Sequence, residues 1–140
     1  MGIDRDTVFQ LLETLEERLR RLSSLATVSL DEYSSDPGLQ DRVERNLEVA
    51  IQCCIDIGTH VLASLGEATP ESYKEVFVRL GHLGFISPDL SSNLARMAGF
   101  RNILVRGYLK LDPQRVHQYL GRLDDLRDFA RAVASMLDPE

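Results

Sequence analysis

The residues with chemistry to offer cluster near position 100, in the stretch Phe100-Arg101-Asn102-Ile103-Leu104-Val105-Arg106-Gly107-Tyr108. Apolar residues recur through Leu90, Leu94, Met97, Leu104 and Leu111 at helical spacing, and Arg101 and Tyr108 fall on the same stripe. An arginine on an apolar stripe is out of place, because guanidinium groups are rarely buried unless paired. Arg101 therefore snorkels from a core edge, meets an acidic partner, or lines a groove opened to something else. Asn102 and Arg106 stand four residues apart, so on a continuous helix they share a neighbouring ledge. Gly99 and Gly107 each cost a helix about 1 kcal/mol relative to alanine, which points to close approach of another backbone, helix or ligand.

The elements that must carry this stretch read as helices throughout. Val8, Leu11, Leu12, Leu15, Leu19, Leu22 and Leu25 set a first long helix over about 4–26. A turn-forming stretch, 27–41, follows as a loop, with Leu30 and Tyr33 tucked onto the bundle. The second helix, about 39–65, is the most apolar and should sit centrally. One narrow polar line runs along it through Arg45, Glu48, Gln52, Asp56 and His60, as a solvent edge or a face turned to a partner. Asp56 and Glu48 are candidate counter-ions for the arginines near position 100. Thr69-Pro70 reads as cap and first turn of a short third helix carrying Tyr73, Val76, Phe77 and Leu80. Ser87-Pro88-Asp89 starts a fourth helix reaching about Lys110, and Asp112-Pro113 starts a fifth that continues to the C-terminus. The expected architecture is all-α: one domain over residues 1–140, an antiparallel bundle of four long helices with a short one inserted.

Composition bounds the rest. The chain has 140 residues, 44% apolar and 27% charged, ordinary for a soluble globular domain. No uncharged apolar run approaches the about 18 residues of a membrane span, and no signal peptide is visible, so a cytoplasmic protein without membrane contact is expected. Cys53 and Cys54 are adjacent and point about 100° apart on a helix, which disfavours a mutual disulfide and makes them reduced core residues. The histidines at positions 60, 82 and 117 are scattered, and neither a metal nor a cofactor is expected. A net charge of −6 argues against a nonspecific nucleic-acid coat, yet Arg96, Arg101, Arg106, Lys110 and Arg115 stand against the single acid Asp112 in one segment. Arg96 and Arg115 are expected to pair with acids of neighbouring helices.

The same stretch resembles the signature of the HEPN superfamily, in particular of HepT-type toxins. Their motif runs arginine, four residues, histidine, one residue, tyrosine, within a phrase like Phe-Arg-Asn-x-Leu-Val-His-x-Tyr. Arg101, Asn102, Leu104, Val105 and Tyr108 match it. The resemblance extends over nearly the whole chain: Val43-Glu44-Arg45-Asn46-Leu47-Glu48-Val49-Ala50-Ile51-Gln52 with Cys54-Ile55-Asp56-Ile57-Gly58 is similar to the family's second-helix phrase. Tyr73-Lys74-Glu75-Val76-Phe77 with Gly84-Phe85-Ile86 is similar to its short third helix.

The resemblance implies the toxin of a type II toxin–antitoxin system, a homodimer whose signature helices face one another across a cleft. That cleft is implied to be a metal-independent endoribonuclease site, cutting tRNA or mRNA through attack of the ribose 2′-hydroxyl. The implied partner is an MntA-like nucleotidyltransferase antitoxin that transfers AMP from ATP onto Tyr108. In these terms Arg101 donates a forked pair of hydrogen bonds to the scissile phosphate, Asn102 orients phosphate or ribose, and AMP on Tyr108 blocks RNA entry.

One position departs from the pattern. Arg106 stands where the family has histidine, and a guanidinium that stays protonated to about pH 12 and beyond takes no proton from a hydroxyl. Acid–base help is worth roughly 10²–10⁴ in rate, so the resemblance implies the binding cleft while Arg106 implies an inactive chain. Lost activity with retained binding, proton transfer by another residue, and an inactivating substitution all remain open accounts of Arg106. The alternative in function class is a non-catalytic helical dimer that binds RNA, a nucleotide or a nucleotidyltransferase.

Overall fold

The computed structural model describes residues 2–106 and 111–138. Among these the chain forms seven helices and no strand: α1 (Arg5–Leu25), α2 (Leu30–Ser34), α3 (Pro37–Ser64), α4 (Tyr73–His82), α5 (Pro88–Leu104), α6 (Pro113–Leu120) and α7 (Leu123–Leu137). The all-α bundle expected from the sequence is present, with more breaks than the apolar stripes disclose. Tyr108 and Gly107 lie outside the described residues.

Helix starts follow local chemistry. Asp36, Ser87 and Asp112 cap α3, α5 and α6 with side-chain oxygens that accept from backbone N–H groups, each ahead of a proline in the first turn. Within the stretch read as a loop, Ser29 and Glu32 form a reciprocal capping box, so five residues wind into α2. Tyr33 on α2 is fully buried, as expected, and the His117 ring tilts against it from α6 while bonding the Val28 carbonyl at 2.8 Å. The short α4 begins later than Thr69-Pro70 implied. Ser72 is its cap, because the Ser72 hydroxyl accepts from the Glu75 N–H and leaves Pro70 outside.

Two further boundaries differ from expectation. The stripe read as one C-terminal helix breaks at Gly121-Arg122, where 3₁₀-type bonds from Gly121 and Arg122 to Gln118 and Tyr119 end α6. The apolar face continues across the break, so periodicity alone does not reveal it. The bend lets α6 pack on α2 while α7 lies along α1 and α5. The second difference is that α5 ends at Leu104 rather than near Lys110; β-branched Val105 and the glycine after Arg106 are both poor helix formers.

The core gathers around α3, which contacts α1, α2, α4, α5 and α7. Val43, Leu47, Ala50, Ile51, Cys54, Ile55, Val61 and Leu62 are all buried, as the second apolar stripe required. Among the described residues α3 is long and apolar enough in composition to cross a membrane, but 56% of its most apolar window is buried inside the protein, as befits a central core helix. Cys53 and Cys54 are free, buried thiols; burial pushes Cys53 up to about 11 and Cys54 well above the ordinary range.

Glycines set the distance to α4. A Cβ on Gly58 would lie 2.6 Å from Val76 Cγ1 and 3.1 Å from Leu80 Cδ1, and one on Gly81 would lie 2.5 Å from Ser91 Oγ. Ser91, itself buried, donates to the Phe77 carbonyl at 2.7 Å, tying α5 to α4. Gly58→Ala should lower stability by about 1–2 kcal/mol despite the gain in helix propensity. The matching fall in thermal midpoint is roughly 3–6 °C, read by circular dichroism. Ellman's reagent should find neither cysteine at pH 8 in the native protein and both after denaturation, since a raised thiol carries little thiolate there.

Candidate active site

The site is built where the C-terminal end of α5 passes the N-terminal end of α4. The end of the Lys74 side chain lies over Gly99, where a Cβ would sit 2.8 Å from Lys74 Cε; the lysine can shift, so the close contact expected from Gly99 is made by a movable side chain and not by a backbone. Beside it Tyr73, the first residue of α4, lies beneath Arg101, whose guanidinium carbon stands 5.2 Å from the centre of the tyrosine ring.

Arg101 is half-buried. Its Nε is enclosed without a hydrogen-bond partner among the described residues, and one Nη donates a long 3.4 Å bond to the Asn102 side-chain carbonyl. Among the described residues no carboxylate meets it. The two acids expected as counter-ions are engaged elsewhere on α3: Glu48 with Arg45 at 3.3 Å, and Asp56 accepting from Gln52 at 2.8 Å. Both pairs are intrahelical, so the polar line of α3 satisfies itself instead of reaching across to α5.

Asn102 and Arg106 are exposed. They do not share the ledge of one helix, because α5 stops at Leu104 and Arg106 N–H turns back to the Ile103 carbonyl at 3.1 Å as the chain leaves the helix. Arg106 is therefore presented from the segment beyond the helix end. Tyr108, two residues on, falls outside the described residues.

The other arginines of this segment are placed differently from expectation. Arg96 bonds Asn93 at 2.6 Å, and Arg115 lies 5.1 Å over Phe100, whose other contact is a stacked Tyr119 at 4.3 Å. Neither forms an ion pair among the described residues. Surface ion pairs here are all between residues three or four apart on one helix, since short neighbours on the same face cost less side-chain ordering than partners across a groove. Arg96, Arg115 and Arg122 line a small cleft of about 170 Å³ between α5 and α6.

The arrangement can bind an anion. A half-buried guanidinium with open donors, held from below by an aromatic face, presents its fork toward a phosphate without competition from a carboxylate. Among the described residues no three of His, Cys, Asp or Glu come together as a metal site. Tyr73 is the site residue that sequence reading missed. Its role arises from the contact between α4 and α5, and the sequence carries no signal of it.

The bundle, with Arg101 near the end of α5, is HEPN-like in fold. The chain belongs to the ribonuclease HepT-like family, whose sequence profile matches residues 15–133. It is 34% identical over 105 residues to the tRNA nuclease HepT of Aphanizomenon flos-aquae, covering 75% of this chain and 71% of that protein. It is 30% identical over 129 residues to the mRNA nuclease HepT of Shewanella oneidensis, covering 91% and 96%. In three dimensions it superposes on the tri-AMPylated Shewanella oneidensis HEPN toxin, solved in complex with its MNT antitoxin. The TM-score is 0.83 at 27% identity, over 93% of this chain and 98% of that one.

Proposed function

We propose that this chain is the toxin of a toxin–antitoxin pair, an endoribonuclease by descent whose cleft binds RNA around Arg101 and Asn102 and works without a metal. The observation that carries the reading is the Arg101 guanidinium, seated on Tyr73 with no carboxylate among the described residues to neutralise it, at the place where the family signature puts its arginine. A scissile phosphate supplies the missing negative charge, and the fork stabilises the additional charge that builds as a 2′-hydroxyl attacks phosphorus and the bond to the leaving 5′-oxygen breaks.

Arg106 supplies binding to that cleft and no proton transfer. It is exposed beyond the end of α5 and permanently charged, so it adds to phosphate affinity while the 2′-hydroxyl keeps its proton. This favours a second reading for the chain as it stands, a dimeric RNA-binding protein that cuts slowly or not at all. The partner we assign is an MntA-like nucleotidyltransferase. It joins AMP from ATP to the Tyr108 hydroxyl with release of pyrophosphate, adding charge and bulk beside the phosphate site. Two copies facing through their signature helices, in the cytoplasm, complete the proposal.

The deciding experiment is cleavage of total tRNA and mRNA, with EDTA present, by this chain and by Arg106→His. The histidine form should cut at least 10²-fold faster; no cleavage by either form, with RNA still bound, leaves the binding reading in place. In a titration with a short single-stranded RNA, Tyr73→Ala should weaken binding about two- to fivefold, matching an exposed cation–π contact, while Tyr73→Phe keeps parental affinity.

A further inference from the structure

A second arginine site lies on the other half of α3. Arg18 and Arg21 on α1 face Arg42 and Arg45 on α3 across an open groove of about 610 Å³, completed by Ser24, Leu25, Asp41 and Asn46. Asn46 stands twelve residues before Gly58, where α4 packs, which is about 18 Å along the helix axis. No residue of the α4–α5 corner that holds Arg101 lines the groove. A chain with net charge −6 and 16 basic residues places four arginines here.

The groove is organised from beneath. Asn46 is only 7% exposed, and a buried amide is costly unless bonded at both ends. Its carbonyl accepts from Arg18 Nη1 at 3.1 Å and its NH₂ donates to the Arg42 carbonyl at 2.7 Å, which fixes the Arg18 head at the groove floor. Arg42 has no carboxylate partner among the described residues. Arg21 and Arg45 do have partners, Glu17 at 2.5 Å and Glu48 at 3.3 Å. Both pairs are single-helix contacts in which the arginine is more than half exposed, the kind a phosphate displaces at little cost.

We propose that this groove binds the phosphodiester backbone of an RNA, as a holding site remote from the cleavage cleft; the proposal rests on the RNA-binding reading above. Each helix contributes a pair three residues apart, whose Cβ atoms stand about 5–6 Å from one another, so the flexible arginine heads can reach neighbouring phosphates of one strand. All four cations are arginines, whose planar forks match phosphate oxygens in pairs. Leu25 is the single apolar lining residue, whereas a docked helix needs a row of apolar anchors. The site supplies affinity for a large folded RNA and leaves the reacting bond to Arg101.

The test is fluorescence anisotropy of labelled tRNA and a labelled hexanucleotide, titrated across a salt series with the full chain, Arg42→Ala/Arg45→Ala, and Arg101→Ala. Arg42 and Arg45 are exposed, so the double variant keeps the fold, and its thermal midpoint serves as the check. The double variant should bind tRNA about tenfold more weakly and lose about one to two units of salt slope, with hexanucleotide binding unchanged. Arg101→Ala should weaken both RNAs. Unchanged tRNA affinity and slope in the double variant, with Arg101→Ala still weakened, overturns the groove and spares the RNA-binding reading. No tRNA binding by the parent overturns both. Loss of affinity for a purified nucleotidyltransferase partner alone makes the groove a protein interface and overturns the proposal.

Discussion

The site depends on how closely α4 approaches its neighbours. Glycines stand at two of these contacts, Gly58 under Val76 and Gly81 under Ser91, and each removes a Cβ that would otherwise hold the helices apart. Close approach is what sets Tyr73 beneath Arg101, since α4 is a short helix whose first residue reaches the signature end of α5 only when its body is pressed against both α3 and α5. Packing density in the core thus becomes positional accuracy at the surface. The same contacts explain why a half-buried arginine can persist here without a carboxylate. An aromatic face and one asparagine carbonyl share the guanidinium, and its outer donors stay available.

Charge is distributed by the same economy. Acids outnumber bases, 22 to 16, and six of the acids pair with an arginine three or four residues away on the surface. Where two helices diverge, arginines are left facing open space: Arg101 above α4, Arg96 and Arg115 between α5 and α6, and the four of the α1–α3 groove. An acidic protein of this kind repels polyanions at long range and accepts them at chosen places, which favours specific over indiscriminate contact.

Much of this was legible in the sequence, and what was not has identifiable causes. Apolar spacing located the core of every long helix, and the caps at Ser87 and Asp112, each followed by a proline, marked α5 and α6 because capping is a local interaction. The break at Gly121 escaped because the apolar stripe runs straight through it, and α2 escaped because a five-residue helix is shorter than any period that could reveal it. Arg101 and Asn102 were singled out through their resemblance to a signature. Tyr73 was not, since its role is created by a contact between helices and leaves no trace in spacing. The expected ion pairs failed for a related reason: sequence shows which charges exist, while short intrahelical partners compete for them before any distant helix can.

The bend between α6 and α7 has one more consequence. It turns the last helix back along the first, and the Arg5 guanidinium donates to the Leu137 carbonyl, so the two outer helices are fastened at one end of the bundle. The first and last helices of the described fold are thus joined at Arg5 and Leu137. Forces or fusions applied to both flanks of this fold meet at that one seam.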